Sequence, residues 1–308
     1  MRMLVIGAGA TGGFFGGRLA QAGRDVTFLV RPRRAAQLRA AGLQIVSPHG
    51  HATVHPKLLA AEDLDGPYDA VLLTVKSFSL ESALDDMAPA VGAGTCILPV
   101  LNGMRHMDVL IERFGKDAVA GGAAKVATTI DESGRIVQLA PFQDLAYGEM
   151  DGTRSARMQA LDLFMQGAGF DARLSTTIAL EMWEKWALLA TLGGVTCLMR
   201  ANVGEIAAAP GGGAFLQRFF DEVVSTISAV GVPVSEGCIA FAKSTFQAKG
   251  STLTSSMYRD LQANQPVEAD QIIGDLLSRG RKAGLSTPLL ETAYAHLSVY
   301  QTRLTAPR

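Results

Sequence analysis

Residues 1–31 read MRMLVIGAGATGGFFGGRLAQAGRDVTFLVR, and this stretch decides the fold. Met3, Leu4, Val5 and Ile6 form a short apolar run of the kind buried in a parallel sheet. Gly7, Gly9 and Gly12 follow with the spacing G-x-G-x-x-G. In a strand-to-helix turn of this type the first glycine permits a tight turn and the second lets backbone approach a pyrophosphate. The third lets the helix pack close to the strand. The helix behind it carries Phe14, Phe15, Leu19 and Ala20 and stops at Ala22-Gly23. With an apolar strand before it and an amphipathic helix after it, Gly7-Ala8-Gly9-Ala10-Thr11-Gly12 is read as a dinucleotide-binding loop whose helix-start amides face phosphates.

The second strand, residues 25–30, ends where an NAD-binding chain usually carries an acidic residue for the adenosine ribose. Arg31 stands there instead, followed by Pro32, Arg33 and Arg34. A guanidinium suits a 2′-phosphate by charge and by its fork of donors, so the expected cofactor is NADPH. Arg33 and Arg34 read as a solvated loop.

With 308 residues, 48% of them hydrophobic, the chain has material for a large core and two domains. A net charge of −1 argues against a nucleic-acid footprint or electrostatic attachment to membranes, so specificity has to come from a pocket for a small molecule. Cys96, Cys197 and Cys238 lie far apart and suggest neither a zinc site nor a disulfide framework, which fits a cytoplasmic protein with reduced thiols. The chain opens on its first strand, leaving no room for a signal peptide. The longest uncharged stretch, residues 87–104, is broken by Pro89, Gly92, Gly94 and Pro99, so no bilayer-spanning helix is expected. A homodimer is compatible with the chain and is not specified by it.

Beyond Arg31, residues 35–41 read as a short helix closed by Gly42, and residues 43–46 and 53–58 as small strands decorating the sheet. His49, His51 and His55 belong to a polar turn with Pro48 and Gly50 rather than to a metal site. Residues 68–75 form another buried strand delivering Lys76 and Ser77 at its carboxyl end, the edge where open α/β sheets bind ligands. After a helix at 80–88, the strand 96–101 ends at Asn102-Gly103. Lys76 could neutralise cofactor phosphate or bond a ribose, and Asn102 offers a carboxamide near the nicotinamide end. The plain alternatives are a surface lysine and an Asn-Gly turn.

Further strands are expected at 118–129, 134–138, 143–147 and 170–174, the middle two antiparallel to their neighbours, with a helix at 156–167. From residue 178 short apolar runs give way to helical spacing at 179–192, 212–230, 235–249, 254–262, 268–282 and 289–303. The expected fold is therefore α/β: a Rossmann-like dinucleotide-binding domain over residues 1–176, then an all-α domain over 177–308. The cleft between two such domains is a favoured place for a small-molecule site.

In the first helix of the second domain, Lys185 sits between Trp183 and Trp186 and precedes an uncharged run to Met199. Desolvation there would lower its pKa and make it a better proton donor near neutral pH. On composition alone it is equally a lysine snorkelling from an apolar helix.

The order GAGATGG, LVR, TVKS, LNG, W-x-K in an α-domain, then SSM-x-x-D followed by a glutamate, resembles the ketopantoate reductase (2-dehydropantoate 2-reductase) family over essentially the whole chain. The resemblance implies NADPH-dependent reduction of a 2-keto acid to a 2-hydroxy acid, with ketopantoate, a pantothenate precursor, the first candidate substrate. It implies Lys185 as the general acid at the keto oxygen, Asn102 between nicotinamide and substrate, and Lys76 near the cofactor. It places Ser256 on the substrate carboxylate and Glu268 against the cofactor or the lysine. Read locally, Ser256 would pass as a helix N-cap and Glu268 as an early-turn acid on a helix dipole.

Family members of the best-known type carry asparagines four and eight residues after that lysine, holding the substrate's hydroxyl and carboxylate. Leu189 and Gly193 stand at those positions. Each lost partner costs about 1–3 kcal/mol, which makes a more apolar keto acid the alternative substrate. Asn202 lies one residue out of register with a further family asparagine. A non-catalytic NADP(H) sensor is the rival from another class; no basic recognition helix or tail supports it.

Overall fold

The computed structural model describes residues 1–306. By contacts the chain forms two compact units, one of Met1–Leu101 with His106–Ala179, the other of Asn102–Arg105 with the chain from Leu180 onward. The first is α/β and the second is helical.

The α/β unit begins β1 (Arg2–Ile6), α1 (Ala10–Gln21), β2 (Asp25–Leu29), α2 (Pro32–Ala41), β3 (Leu43–Val46), β4 (Ala52–Val54) and β5 (Lys57–Leu59). It continues through β6 (Ala70–Leu73), α3 (Leu80–Met87), β7 (Cys96–Pro99), α4 (Arg105–Phe114), β8 (Gly121–Ile130), β9 (Ile136–Gly148), α5 (Ala156–Met165) and β10 (Asp171–Leu174). Strands β5-β2-β1-β6-β7 make one sheet, parallel throughout. Strands β1, β6 and β7 are almost wholly buried apolar runs, as parallel strands covered on both faces must be, while β5 at the edge is not. Ile6 pairs with both Leu29 and Leu73, and Leu73 with Pro99, so β1, β2, β6 and β7 finish in register. The chain after each leaves from one edge, and the strand order reverses at β1, where such sheets bind ligands.

The remaining strands build a second sheet rather than decorations of the first: β10-β9-β3-β4, with β8 also on β9. Residues 53–58, expected as one strand, divide at Pro56. Ala52–Val54 pairs antiparallel with β3 in the second sheet, while Lys57–Leu59 pairs parallel with β2 at the edge of the first. The strands expected at 134–138 and 143–147 are one, β9. It is antiparallel to β8 only and runs parallel to β3 and β10. Its pairing jumps from Val126–Gln143 to Thr128–Gln138, so residues 139–142, with Pro141 among them, bulge opposite Ala127. Helix α4 is an element the sequence reading passed over, and α2 starts at Pro32, a residue suited to the first helical position.

Helix α1 lies against both sheets. A Cβ on Gly16 would press on the Phe28 ring, and one on Gly17 on Leu43 and Ile45. Phe14, Phe15 and Leu19 are fully buried with Met3, Val5 and Phe28 in the core.

The helical unit holds α6 (Ile178–Met199), α7 (Val203–Ala208), α8 (Gly212–Val230), α9 (Glu236–Phe246), α10 (Ser256–Gln262), α11 (Asp275–Lys282) and α12 (Pro288–Thr305). Helix α6 runs seven residues past its expected end at 192, since its residues are apolar on nearly every side and Gly193-Gly194 pack against Met257 and Phe219. The helix expected at 268–282 instead opens with a π-helical turn, Asp270–Gly274, before α11. Asn202, out of register as a site residue, accepts from Glu205 N as the N-cap of α7 in a complete capping box. Among the described residues no helix is long and apolar enough to cross a membrane.

Candidate functional site

The three motif glycines stand in three different settings. Gly7 has φ +92°, a conformation that side-chain-bearing residues rarely adopt, and its N–H donates to Leu29 O at 3.1 Å. A Cβ on Gly12 would run into Thr74 Oγ1 and Gly7 O, so the start of α1 can approach the strands only without a side chain there. Gly9 is different: a Cβ on it would meet nothing within 4 Å. The protein's own packing gives no reason for that glycine. No side chain caps α1, and no acidic residue occupies its first turn, so helix-start amides and open space come together at one point. That arrangement fits a pyrophosphate and leaves room for it.

Thr74, directly after β6, clamps the turn by donating its hydroxyl to Ile6 O at 2.8 Å and to Gly7 O at 3.1 Å. Sequence reasoning passed over this residue; its signal was the threonine in TVKS at a strand end. Lys76 follows two residues later and is exposed, with Nζ 5.9 Å from the Phe78 ring centroid. Arg31, exposed at the end of β2, is the N-cap of α2, and its Nη2 donates to Ser82 Oγ on α3 at 3.1 Å. Gly7 to Gly12, Arg31 and Lys76 thus follow three strands that finish at one sheet edge.

Arg34 corrects the expectation of a solvated loop. Its Nε donates to Ala8 O at 3.0 Å and its Nη1 to Gly134 O at 2.9 Å, tying the glycine turn to the β8–β9 connection. Burial lowers the pKa of this guanidinium. The histidines expected in a polar turn behave so: Ser47 N–H donates to His51 Nδ1 at 3.2 Å, and His49 Nε2 pairs with Pro141 O.

In the helical unit, Lys185 is half-buried on α6. The rings of Trp183 and Trp186 lie 5.4 Å apart and are both buried, with the Arg279 guanidinium 5.9 and 5.8 Å from them. The neighbouring Glu184 accepts from Ser235 N–H at 2.9 Å, ahead of α9. Asn102 is half-buried, and its backbone carbonyl accepts from Gln271 Nε2 at 2.9 Å. Glu268, half-buried, precedes the π-helical turn, its carbonyl accepting from Ile272 N–H at 3.0 Å.

Ser256 is not the helix cap. Ser255 is: its hydroxyl accepts from Tyr258 N–H at 2.9 Å and pairs with Thr196 Oγ1 at 2.9 Å. Ser256, exposed at the first position of α10, is thereby left without capping duty. At Gly193 a Cβ would come 2.6 Å from Met257 Cε, so a buried methionine fills the space a longer side chain would need. Leu189, one turn earlier, is half-buried. Burial pushes the Cys96 and Cys197 thiols up to about 12, so neither is a thiolate nucleophile near neutral pH.

Residues 3–152 match the family model described as ketopantoate reductase PanE/ApbA, and residues 177–301 match its C-terminal companion. The chain is 34% identical to the uncharacterized oxidoreductase YkpB of Bacillus subtilis, over 98% of this chain and 99% of that one. It is 27% identical to a 2-dehydropantoate 2-reductase of Halobacterium salinarum, over 95% and 96% of the two chains. The crystal structure of a 2-dehydropantoate 2-reductase from Geobacter metallireducens superposes with a TM-score of 0.87 at 27% identity, covering 97% of this chain and 99% of that one.

Proposed function

Since this chain belongs to the ketopantoate reductase family of oxidoreductases, we propose that it reduces a 2-keto acid to the 2-hydroxy acid with NADPH, and that ketopantoate, on the route to pantothenate, is its first candidate substrate. Residues 1–176 would hold the dinucleotide and residues 177–308 the keto acid, in the cytoplasm. The observation that carries the reading is Gly9, a glycine that packing does not require, at an uncapped helix start beside open space.

NADPH, when bound, supplies the hydride that adds to the keto carbon. The chain's own residues do the rest. Gly7 to Gly12 offer backbone amides to the pyrophosphate, with Thr74 and Arg34 holding the turn in shape. Arg31 takes the 2′-phosphate and Lys76 adds positive charge at the same edge. Lys185 donates its proton to the keto oxygen as negative charge develops there, so the carbonyl becomes a hydroxyl and the amine is reprotonated from solvent. Ser256 donates to the substrate carboxylate, Asn102 orients the carbonyl, and Glu268 sets the charge near the lysine.

The filled space at Gly193 supports a second reading. With Met257 there and Leu189 one turn away, the positions that carry asparagines in the best-known relatives offer no hydrogen bond. A keto acid with an apolar side chain, lacking the hydroxyl of ketopantoate, fits such a wall better.

NADPH oxidation followed at 340 nm across a panel of 2-keto acids tests both readings. Turnover with ketopantoate far above its unhydroxylated analogues supports the first, and the reverse order supports the second. Tight NADPH binding with no turnover on any 2-keto acid would overturn both in favour of a sensor.

A further inference from the structure

Between Glu268 and α11 the backbone takes a π-helical turn, Asp270–Gly274. Single π turns interrupt the regular helical ladder and concentrate at functional sites. This one is bound from three directions within its own unit. Gln271, 3% exposed, donates through Nε2 to Asn102 O at 2.9 Å. The fully buried Trp186 donates its indole N–H to Ile272 O at 2.9 Å. Tyr294 donates its hydroxyl to Asp270 Oδ1 at 2.8 Å.

The contact with Asn102 is close as well as hydrogen-bonded. Gly103 has φ +75°, and a Cβ there would stand 2.6 Å from Gln271 O. The Asn102-Gly103 pair is therefore seated on the π turn, and Asn102–Arg105 accordingly group with the helical unit although they follow a strand of the α/β unit. Trp186 is the residue after Lys185, and Glu268 lies three residues before Gln271. One turn of backbone thus has bonded connections to the segments carrying Asn102, Lys185 and Glu268.

We propose that Gln271 is a positioning residue for carbonyl reduction: by holding the Asn102 backbone against the π turn, it aims the Asn102 carboxamide at the reacting carbonyl. The inference rests on the reductase reading above. A buried amide has both a donor and an acceptor to satisfy, and spending the donor on a backbone carbonyl far along the chain fixes that carbonyl's residue at the cost of burying polar atoms. Small displacements of an orienting group carry large rate penalties, which gives such a contact its value.

The test is a double-mutant cycle on Gln271→Leu and Asn102→Ala, with kcat and KM measured for the best keto acid and NADPH affinity measured by fluorescence. Gln271→Leu keeps the bulk and removes the donor. It is expected to lower kcat about tenfold while changing NADPH affinity less than about twofold. In the Asn102→Ala background, where the carboxamide is already gone, the same change should cost less than about a further twofold. In 15N–1H spectra of the ligand-free protein, the side-chain amide pair of Asn102, identified by its loss in Asn102→Ala, should shift in Gln271→Leu.

Full additivity of the two substitutions, or an unmoved Asn102 amide pair in Gln271→Leu, would overturn the positioning role while leaving the reductase reading intact. A wild-type protein inactive on every keto acid would overturn the reading itself, and the positioning role with it.

Discussion

The glycine turn and the π-helical turn each organise a group of candidate site residues, and they are specified in opposite ways. At the glycine turn the needs are local. Gly7 needs its positive φ, Gly9 needs open space and the start of α1 needs no cap, and each need is met by a residue in a stretch of six. At the π turn the partners of Gln271 and Ile272 lie 169 and 86 residues away along the chain. Thr74 and Arg34 brace the glycine turn from outside, but the features that would meet a ligand lie within its own six residues. The π turn depends on the helical unit keeping its packing.

Replacing the residues that follow from each arrangement separates binding from chemistry, and the largest effect belongs to the helical unit. Lys185→Ala removes the proposed proton donor and should lower kcat on the order of 10²–10⁴-fold, the range general acid catalysis contributes. NADPH affinity, which the proposal assigns to the α/β unit, should stay within about twofold. Turnover unchanged in that variant would take Lys185 out of the acid role and leave only the binding half of the comparison standing.

The next effect belongs to the glycine turn and divides it internally. Gly9→Val adds a side chain to space the protein does not use, so the fold should keep its stability while NADPH affinity falls on the order of a hundredfold, because the phosphates lose their approach to the amides. Gly12→Ala meets Thr74 Oγ1 and Gly7 O, so its first cost is to the fold, about 1–3 kcal/mol of overpacking strain, read as a lower midpoint of thermal unfolding. Equal losses of stability in the two variants would mean that Gly9 is structural and would remove the main support for a ligand there.

Arg31→Ala is expected to weaken NADPH by about ten- to thirtyfold, the equivalent of one charge-assisted contact, and to leave NADH nearly unchanged. Arg31 is exposed and already donates to Ser82, so screening keeps the effect below that of Gly9→Val. A chain that used NADH as well as NADPH before the substitution would show the 2′-phosphate assignment to be mistaken.

The same contrast decides what could be read from the sequence. The inner strands of the first sheet, β1, β6 and the buried part of β2, are runs of buried apolar residues bounded by turns, and such runs announce themselves; the edge strand β5, with Lys57 exposed, does not. The second sheet does not, because β9 runs parallel to β3, whose Ile45 pairs with Ile136 across some ninety residues, and because its own midsection bulges at Pro141. Arg34 looked solvated since its acceptors, Ala8 O and Gly134 O, appear only once the chain has folded back. Helix α4 buries little beyond His106, Met107 and Leu110, too short a stripe to stand out in a polar stretch. The cap at α10 lies one residue before its expected place because Ser255 and Ser256 are identical in type, and what sets Ser255 apart, its burial and its bonds to Tyr258 N–H and the Thr196 hydroxyl, exists only in the fold. The π turn has no sequence signature: its apolar spacing is that of an ordinary helix, and the partners it bonds, Asn102, Trp186 and Tyr294, are brought to it only by the fold.

The smallest expected effect concerns substrate choice and bears on whether the helical unit has changed the substrate it accepts. Gly193→Asn would return a carboxamide to α6 at a point where Met257 Cε now stands 2.6 Å from the nearest added atom. The obstacle is the end of a flexible side chain rather than backbone, so the methionine can swing aside, and the fold should absorb the change. One added hydrogen bond to a substrate hydroxyl is worth about 0.5–1.5 kcal/mol, so the preference for ketopantoate over its unhydroxylated analogue should rise by about two- to tenfold. Leu189→Asn, one turn nearer Lys185 and with its side chain half-buried, should shift the preference in the same direction. If the unsubstituted chain already prefers ketopantoate by a wide margin, polar partners must reach the hydroxyl from elsewhere on the helical unit, and Met257 is only filling space. If neither asparagine moves the preference, the wall formed by Leu189, Gly193 and Met257 does not face the substrate, and the difference between this chain and the best-known relatives lies in packing alone.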